Sequence, residues 1–124
     1  MTPVTTDTRC IDAMLVIWNC RDADVMAKAV EEALDPDLEF CDPLHDIRGH
    51  QAFMDMVKAF WAKYPEARLR RSSGIDAHHD RARYAWAIDL PGGHCFEGFD
   101  AVTLDRTSGK VRRIDGFFGP LPPA

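Results

Sequence analysis

Residues 81–90, RARYAWAIDL, decide the fold. Tyr84, Trp86, Ile88 and Leu90 share one parity while Arg81, Arg83 and Asp89 share the other, and a period of two marks a strand with one face buried and one face wet. The alternation extends to both sides. ARLRRSSGIDA reads as a preceding strand joined through a tight turn at His78-His79-Asp80, and HCFEGFDAVTL and KVRRIDGFFG follow after turns at Pro91-Gly92-Gly93 and Asp105 to Gly109. In the last of these, Ile114, Gly116 and Phe118 share a face opposite Arg113, Asp115 and Phe117. The result is a meander of four long strands. The closing PLPPA is too proline-rich to enter a sheet interior and reads as a short tail.

Upstream the period becomes helical. Ile11, Met14, Leu15 and Trp18 predict a first helix from near Asp7 to around Cys20. Asp22 reads as the N-cap of a second, with a buried stripe of Val25, Met26, Ala29, Val30, Ala33 and Leu34, stopped by Pro36. A short strand at 38–41 runs into Asp42 and Pro43 and a polar loop ending at Gly49. The stretch HQAFMDMVKAFWAKYP then gives a third helix, its stripe formed by Phe53, Met56, Val57, Phe60 and Trp61 and its end set by Pro65. Helices first and an antiparallel meander afterwards describe an α+β layer fold whose aromatic sheet face points to the helices. With 124 residues, 46% of them hydrophobic, and no repeat or dividing linker, the chain is expected to be one domain spanning residues 1–124.

Composition narrows the function. A net charge of -5 argues against gripping nucleic-acid phosphates or an anionic membrane, since either needs a cationic face. The start, MTPVTTDTRC, has no basic segment followed by a long apolar one, and AMLVIW is too short to span a bilayer. Cys10, Cys20, Cys41 and Cys95 are scattered, which suits reduced thiols and a cytoplasmic setting. There is no Gly-rich phosphate loop and no nucleophile elbow, so neither a nucleotide cofactor nor covalent acyl chemistry is expected.

The order of elements, the CDP that ends the first strand, the RG before the third helix and the closing VRRIDGFFG resemble the nuclear transport factor 2-like superfamily, from roughly Ile11 to Gly119. That family includes ketosteroid isomerase and the SnoaL-like polyketide cyclases. The resemblance implies a cone-shaped α+β fold with three N-terminal helices packed on a curved antiparallel sheet. It leaves activity open, because this fold hosts many unrelated ones. In ketosteroid isomerase an aspartate before a proline at the end of the first strand shuttles a proton, and Asp42 is similar in place. A second aspartate there stays protonated and donates a hydrogen bond to the developing oxyanion; Asp100, in GFDAVTL, resembles it. The isomerase's tyrosine donor on the first helix is replaced by Met14, and the second helix is longer, so a steroid substrate is not implied. Relatives commonly pair through the outer sheet face, which implies a homodimer.

The residues themselves allow two readings of each acid. A carboxylate at the rim of an apolar cavity gains affinity for its proton and can exchange it near neutral pH, yet Asp42 before Pro43 also suits a plain turn. Asp100 sits mid-strand, where an acid disfavours β structure, on the face of Phe96, Gly98, Val102 and Leu104; inward, it is a buried donor to a substrate carbonyl or a structural hydrogen-bonding group. Tyr84 or the Trp86 indole is a candidate second donor. His45 follows Asp42 closely and is suited to proton transfer. Cys41, His45 and His50 match no standard zinc spacing, and His78-His79-Asp80 suits a hairpin turn, so no metal is expected. The expected cavity walls are Met14, Trp18, Phe40, His45, Phe60, Tyr84, Trp86, Ile114 and Phe118. The expectation is a cofactor-free protein that binds a small apolar molecule bearing a carbonyl and isomerises or cyclises it by proton transfer. The alternative is a non-catalytic ligand holder or dimeric scaffold, with the interior filled by Met14, Met54 and Phe118.

Overall fold

The computed structural model describes residues 5–124; residues 1–4, the first of the stretch read for a targeting signal, lie outside it. Three helices, α1 (Arg9–Ile17), α2 (Ala23–Ala33) and α3 (His50–Lys63), cover one face of a seven-stranded sheet. Its strands are β1 (Leu34–Asp42), β2 (His45–Arg48), β3 (Arg68–Arg71), β4 (Asp76–His78), β5 (Arg81–Asp89), β6 (Cys95–Leu104) and β7 (Val111–Phe118). The order across the sheet is β2-β1-β7-β6-β5-β3, with β4 also on β5. Every pairing is antiparallel except that of β1 with β7, which is parallel. This is the α+β layer fold that the residue pattern predicts and the cone-shaped form that the resemblance implies, with one parallel seam.

The helices form where the apolar spacing placed them. Asp22 caps α2 by accepting the backbone N–H groups of Asp24 and Val25 at 2.9 and 3.0 Å. The buried stripe of α2 is narrower than expected: Met26, Val30 and Ala33 are buried, but Val25 is 58% exposed because it lies about 100° round the helix from Met26. Helix α2 also stops earlier, at Ala33, and Pro36 stands inside β1. The pairing of β1 with β7 jumps between Leu34 and Glu39, and a proline within that irregularity removes no ladder hydrogen bond. The loop expected after Asp42 contains the short strand β2, in register Phe40 with Ile47 and Asp42 with His45. Gly49, at φ 86°, turns the chain from β2 into α3.

Polar side chains tie the helical layer to the sheet. The Asn19 amide donates to the carbonyl of Leu69 at 2.7 Å and accepts its N–H at 2.8 Å, completing β3 as a neighbouring strand would. Arg21 donates to the carbonyls of Trp18 and Ala67 and lies over the Trp61 ring, 5.1 Å from its centroid. The central core is Ile11, Met26, Val30, Leu38, Phe53, Val57 and Ile114, all fully buried. Each such side chain contributes roughly 1.5–3 kcal/mol of transfer free energy.

One glycine governs the sheet's inner face. Trp86 pairs with Gly98, and a β-carbon on Gly98 would collide with the indole and with the carbonyl oxygen of Phe117. The indole therefore lies across the bare backbone of β6. Gly98→Ala should destabilise the protein by about 1–3 kcal/mol in urea unfolding and shift the tryptophan emission, because the ring must leave its seat; unchanged stability and emission would mean that Trp86 packs elsewhere.

Candidate active site

A single row of side chains crosses the inner face of the sheet. Tyr84 on β5 pairs with Asp100 on β6, Asp100 pairs with Gly116 on β7, and Gly116 follows Asp115, the partner of Cys41, so it comes beside Asp42 on β1. His45 on β2 pairs with Asp42 and ends the row. Gly116 separates the two acids: a β-carbon there would stand 3.1 Å from Asp42 Cβ and 3.3 Å from Asp100 Oδ1. The strand-to-strand spacing of about 5 Å sets this arrangement, and the inward parity of β6 and β7 delivers it.

The row borders a cavity of about 570 Å³ between the sheet and the helices. On the helix side, Trp18 meets Phe60 and Phe53 edge to face, with ring centroids 5.6 and 5.8 Å apart. On the sheet side, Trp86, Phe96 and Phe118 form a second aromatic group with centroids 4.9–6.1 Å apart. The titratable side chains among the lining residues are Asp42, Asp100, His45, Lys63 and Tyr64. A chamber so lined has the volume and apolar walls that suit a small apolar molecule, with hydrogen-bonding groups at one wall.

Asp100, 8% exposed, is the one buried charged residue among the described residues. Its Oδ2 accepts the Tyr84 hydroxyl at 2.8 Å and its Oδ1 the Trp86 indole N–H at 2.9 Å. Burial raises its proton affinity, the two donors oppose that, and the nearby Asp42 adds to the rise, leaving the group pushed up to about 6. Burial, then the Asp100 charge, hold the Tyr84 phenol well above its ordinary range, so it remains a donor. Tyr84 and the Trp86 indole, either of which the sequence offers as a second donor to a substrate, both donate to Asp100.

Asp42, its side chain 11% exposed, makes the turn that one of the two sequence readings allowed. Its Oδ1 accepts the Leu44 backbone N–H at 2.9 Å, which closes the Pro43-Leu44 turn, and the same oxygen lies 3.0 Å from His45 Nδ1. The residue also faces the cavity. His45 is more open, its side chain 39% exposed, with its ring edge-on to Phe40.

Of the expected wall residues, Met14, Trp18, Phe40, His45, Phe60, Trp86 and Phe118 line the cavity. Tyr84 and Ile114 do not. Tyr84 is 3% exposed with its hydroxyl turned to Asp100, and Ile114 lies fully buried one inward position below the acid row, paired with Val102 in the solid core. Met14 and Phe118 stand as walls and leave the cavity open. As cavity walls the sequence reading left out Gly116, Phe96, Ile88, Leu90 and Met56, although each shares a strand face or helix stripe with a residue assigned inward; it also left out Leu44, Lys63 and Leu69, which carry no comparable signal. No group of three or more potential metal ligands occurs among the described residues, and none of their helices is long and apolar enough to cross a membrane.

No family model matches the chain, and no curated protein matches it in sequence. Solved structures do match. A SnoaL-like family protein from Agrobacterium tumefaciens, provisionally named an isomerase, is 26% identical over 94% of this chain and 100% of its own, with a TM-score of 0.84. A protein of unknown function with a cystatin-like fold from Methylobium petroleophilum is 17% identical over 99% and 82%, with a TM-score of 0.73. A provisionally named SnoaL-like polyketide cyclase from Jannaschia is 11% identical over 95% and 90%, with a TM-score of 0.69. The last two share the fold alone.

Asp100 ties stability to pH. Its folded proton affinity exceeds the unfolded one, so its contribution is full below about pH 4 and is lost as pH rises through about 6. The stability of the protein minus that of Asp100→Asn, measured by urea unfolding, should fall by about 2 kcal/mol between pH 4 and pH 7. A flat difference would place Asp100 in contact with water.

Proposed function

We propose a member of the nuclear transport factor 2-like superfamily, akin to the SnoaL-like proteins whose structures it resembles, that acts as a cofactor-free catalyst of proton transfer on a small apolar ketone, as an isomerase or cyclase. The observation that carries this is the pair of acids flanking Gly116 at the wall of an otherwise apolar cavity. The carbonyl oxygen lies at Asp100 and the carbon α to it lies toward Asp42. A buried carboxyl pushed up to about 6 holds its proton more tightly once an apolar ligand expels water, and a neutral Asp100 then donates to the oxygen as charge builds there. The Asp42 end of the row takes the proton from carbon and returns it. The substrate class follows from the lining: a molecule with one carbonyl, no anionic group deep in the chamber, and a body that fits about 570 Å³.

Two ketones probe this directly. The protein should accelerate exchange of the C1 protons of 2-tetralone in heavy water, followed by proton NMR, and conversion of 3-cyclohexenone to its conjugated isomer, followed by ultraviolet absorbance. Asp42→Asn and Asp100→Asn should each lower both rates on the order of 100-fold or more. Saturable binding with no acceleration would leave a ligand holder without catalysis.

The outer sheet face supports a second copy of the chain as partner. Phe99 and Phe117 pair across β6 and β7 there, 47% and 57% exposed, with Ala85 beside Phe99. Ion pairs such as Arg113 with Glu39 and Arg83 with Asp76 surround them, so the face offers an apolar centre and charges of both signs to its own copy. Light scattering should give twice the chain mass, falling to one chain mass in Phe117→Asp; a wild-type protein at one chain mass would refute the dimer.

A further inference from the structure

Resting on the proton-transfer reading, we infer that the atom which takes the substrate proton is Nε2 of His45, and that Asp42 is the residue that positions it. Asp42 Oδ1 is already engaged on two sides, by the Leu44 N–H at 2.9 Å and by His45 Nδ1 at 3.0 Å. A carboxylate only accepts, so the ring nitrogen that faces it carries the hydrogen, and in the neutral ring this leaves the lone pair on Nε2. That nitrogen has no protein partner among the described residues, and the ring lines the cavity, edge-on to Phe40. The ring is held at three levels. The register of β1 with β2 sets Asp42 opposite His45, the two-residue turn closes on Asp42 itself, and the side-chain hydrogen bond fixes which nitrogen is bare.

The chemistry balances within the site. The carbon–hydrogen bond α to the carbonyl breaks, the proton goes to Nε2, and the electron pair moves through the enolate to the carbonyl oxygen, which receives the hydrogen bond of neutral Asp100. The imidazolium is stabilised by Asp42, as a base is by the carboxylate that orients it. After trading its proton with water it delivers a solvent proton to the same carbon, giving exchange, or it delivers its proton to the γ carbon of a dienolate, giving isomerisation. A side chain 39% exposed also lets the imidazolium trade its proton with water, so product formed in heavy water carries solvent deuterium. A buried carboxyl acting alone would keep much of the original hydrogen.

His45→Asn separates the two assignments, because its amide N–H can still serve Asp42 while the Nε2 lone pair is gone. With 2-tetralone and 3-cyclohexenone as probes, this variant should lose on the order of 100-fold in both rates, and His45→Gly should regain activity with added imidazole. A His45→Asn protein within a few-fold of wild type would overturn the inference and leave the proton-transfer function standing with Asp42 as base. A wild-type protein that accelerates neither probe would overturn the function and this assignment together. Imidazole nitrogen NMR gives a readout that needs no substrate. His45 should show a protonated Nδ1 and a bare Nε2 in the wild type, with that preference lost in Asp42→Asn; a protonated Nε2 in the neutral wild-type ring would refute the assignment.

Discussion

A carboxyl group withdrawn from water has to be met by donors, and the inner face of this sheet is organised around meeting one. Asp100 receives a phenol from the directly opposing residue of β5 and an indole from the residue two positions on, so both hydrogen bonds follow from the pairing of adjacent strands. The indole reaches because Gly98 offers no side chain in its way. The same ring then forms the sheet-side wall with Phe96 and Phe118. Satisfying the acid and shaping the cavity are thus one act of packing. Left without these donors, a buried carboxylate would cost several kcal/mol.

The parallel seam does the complementary work. Antiparallel strands alone would deliver Asp100 but would leave Asp42 on a separate hairpin. Because β1 runs beside β7 in the same direction, the end of the first strand and the end of the last reach the open end of the cone together, and Asp42, Gly116 and Asp100 fall in line. The irregularity between Leu34 and Glu39 absorbs the mismatch upstream, so that the pairing at Cys41 and Asp115 is regular where the acids stand. The helices close the chamber from the other side, with Trp18 held by its own carbonyl, which accepts from both Arg21 and the Trp61 indole.

Much of this was legible in the chain. The alternation of Tyr84, Trp86 and Ile88 and the parity of Gly116 with Phe118 are local properties of a strand, and they fixed which side chains face inward. What escaped is non-local or weak. β2 has four residues, three of them charged or titratable, and only Ile47 marks its inner face, so it read as loop. Pro36 signals a helix stop in any local reading, and only the register with β7 shows it inside a strand. Parity told that Tyr84 points inward but not that Asp100 would cover it, since what stands over a side chain depends on the neighbouring strand's register. Asp42 was ambiguous for a physical reason: one oxygen makes the turn and the same residue faces the cavity, and the two uses do not compete.

Gly116 holds the two acids apart with nothing but hydrogen, and a methyl group there would press on both at van der Waals limits. On the proposed proton-transfer reading, one added carbon atom in that gap would separate a protein that moves protons from one that only holds a molecule. A substitution at this position would leave the aromatic walls and the fold in place, which offers one physical route by which a single architecture can yield both enzymes and silent carriers.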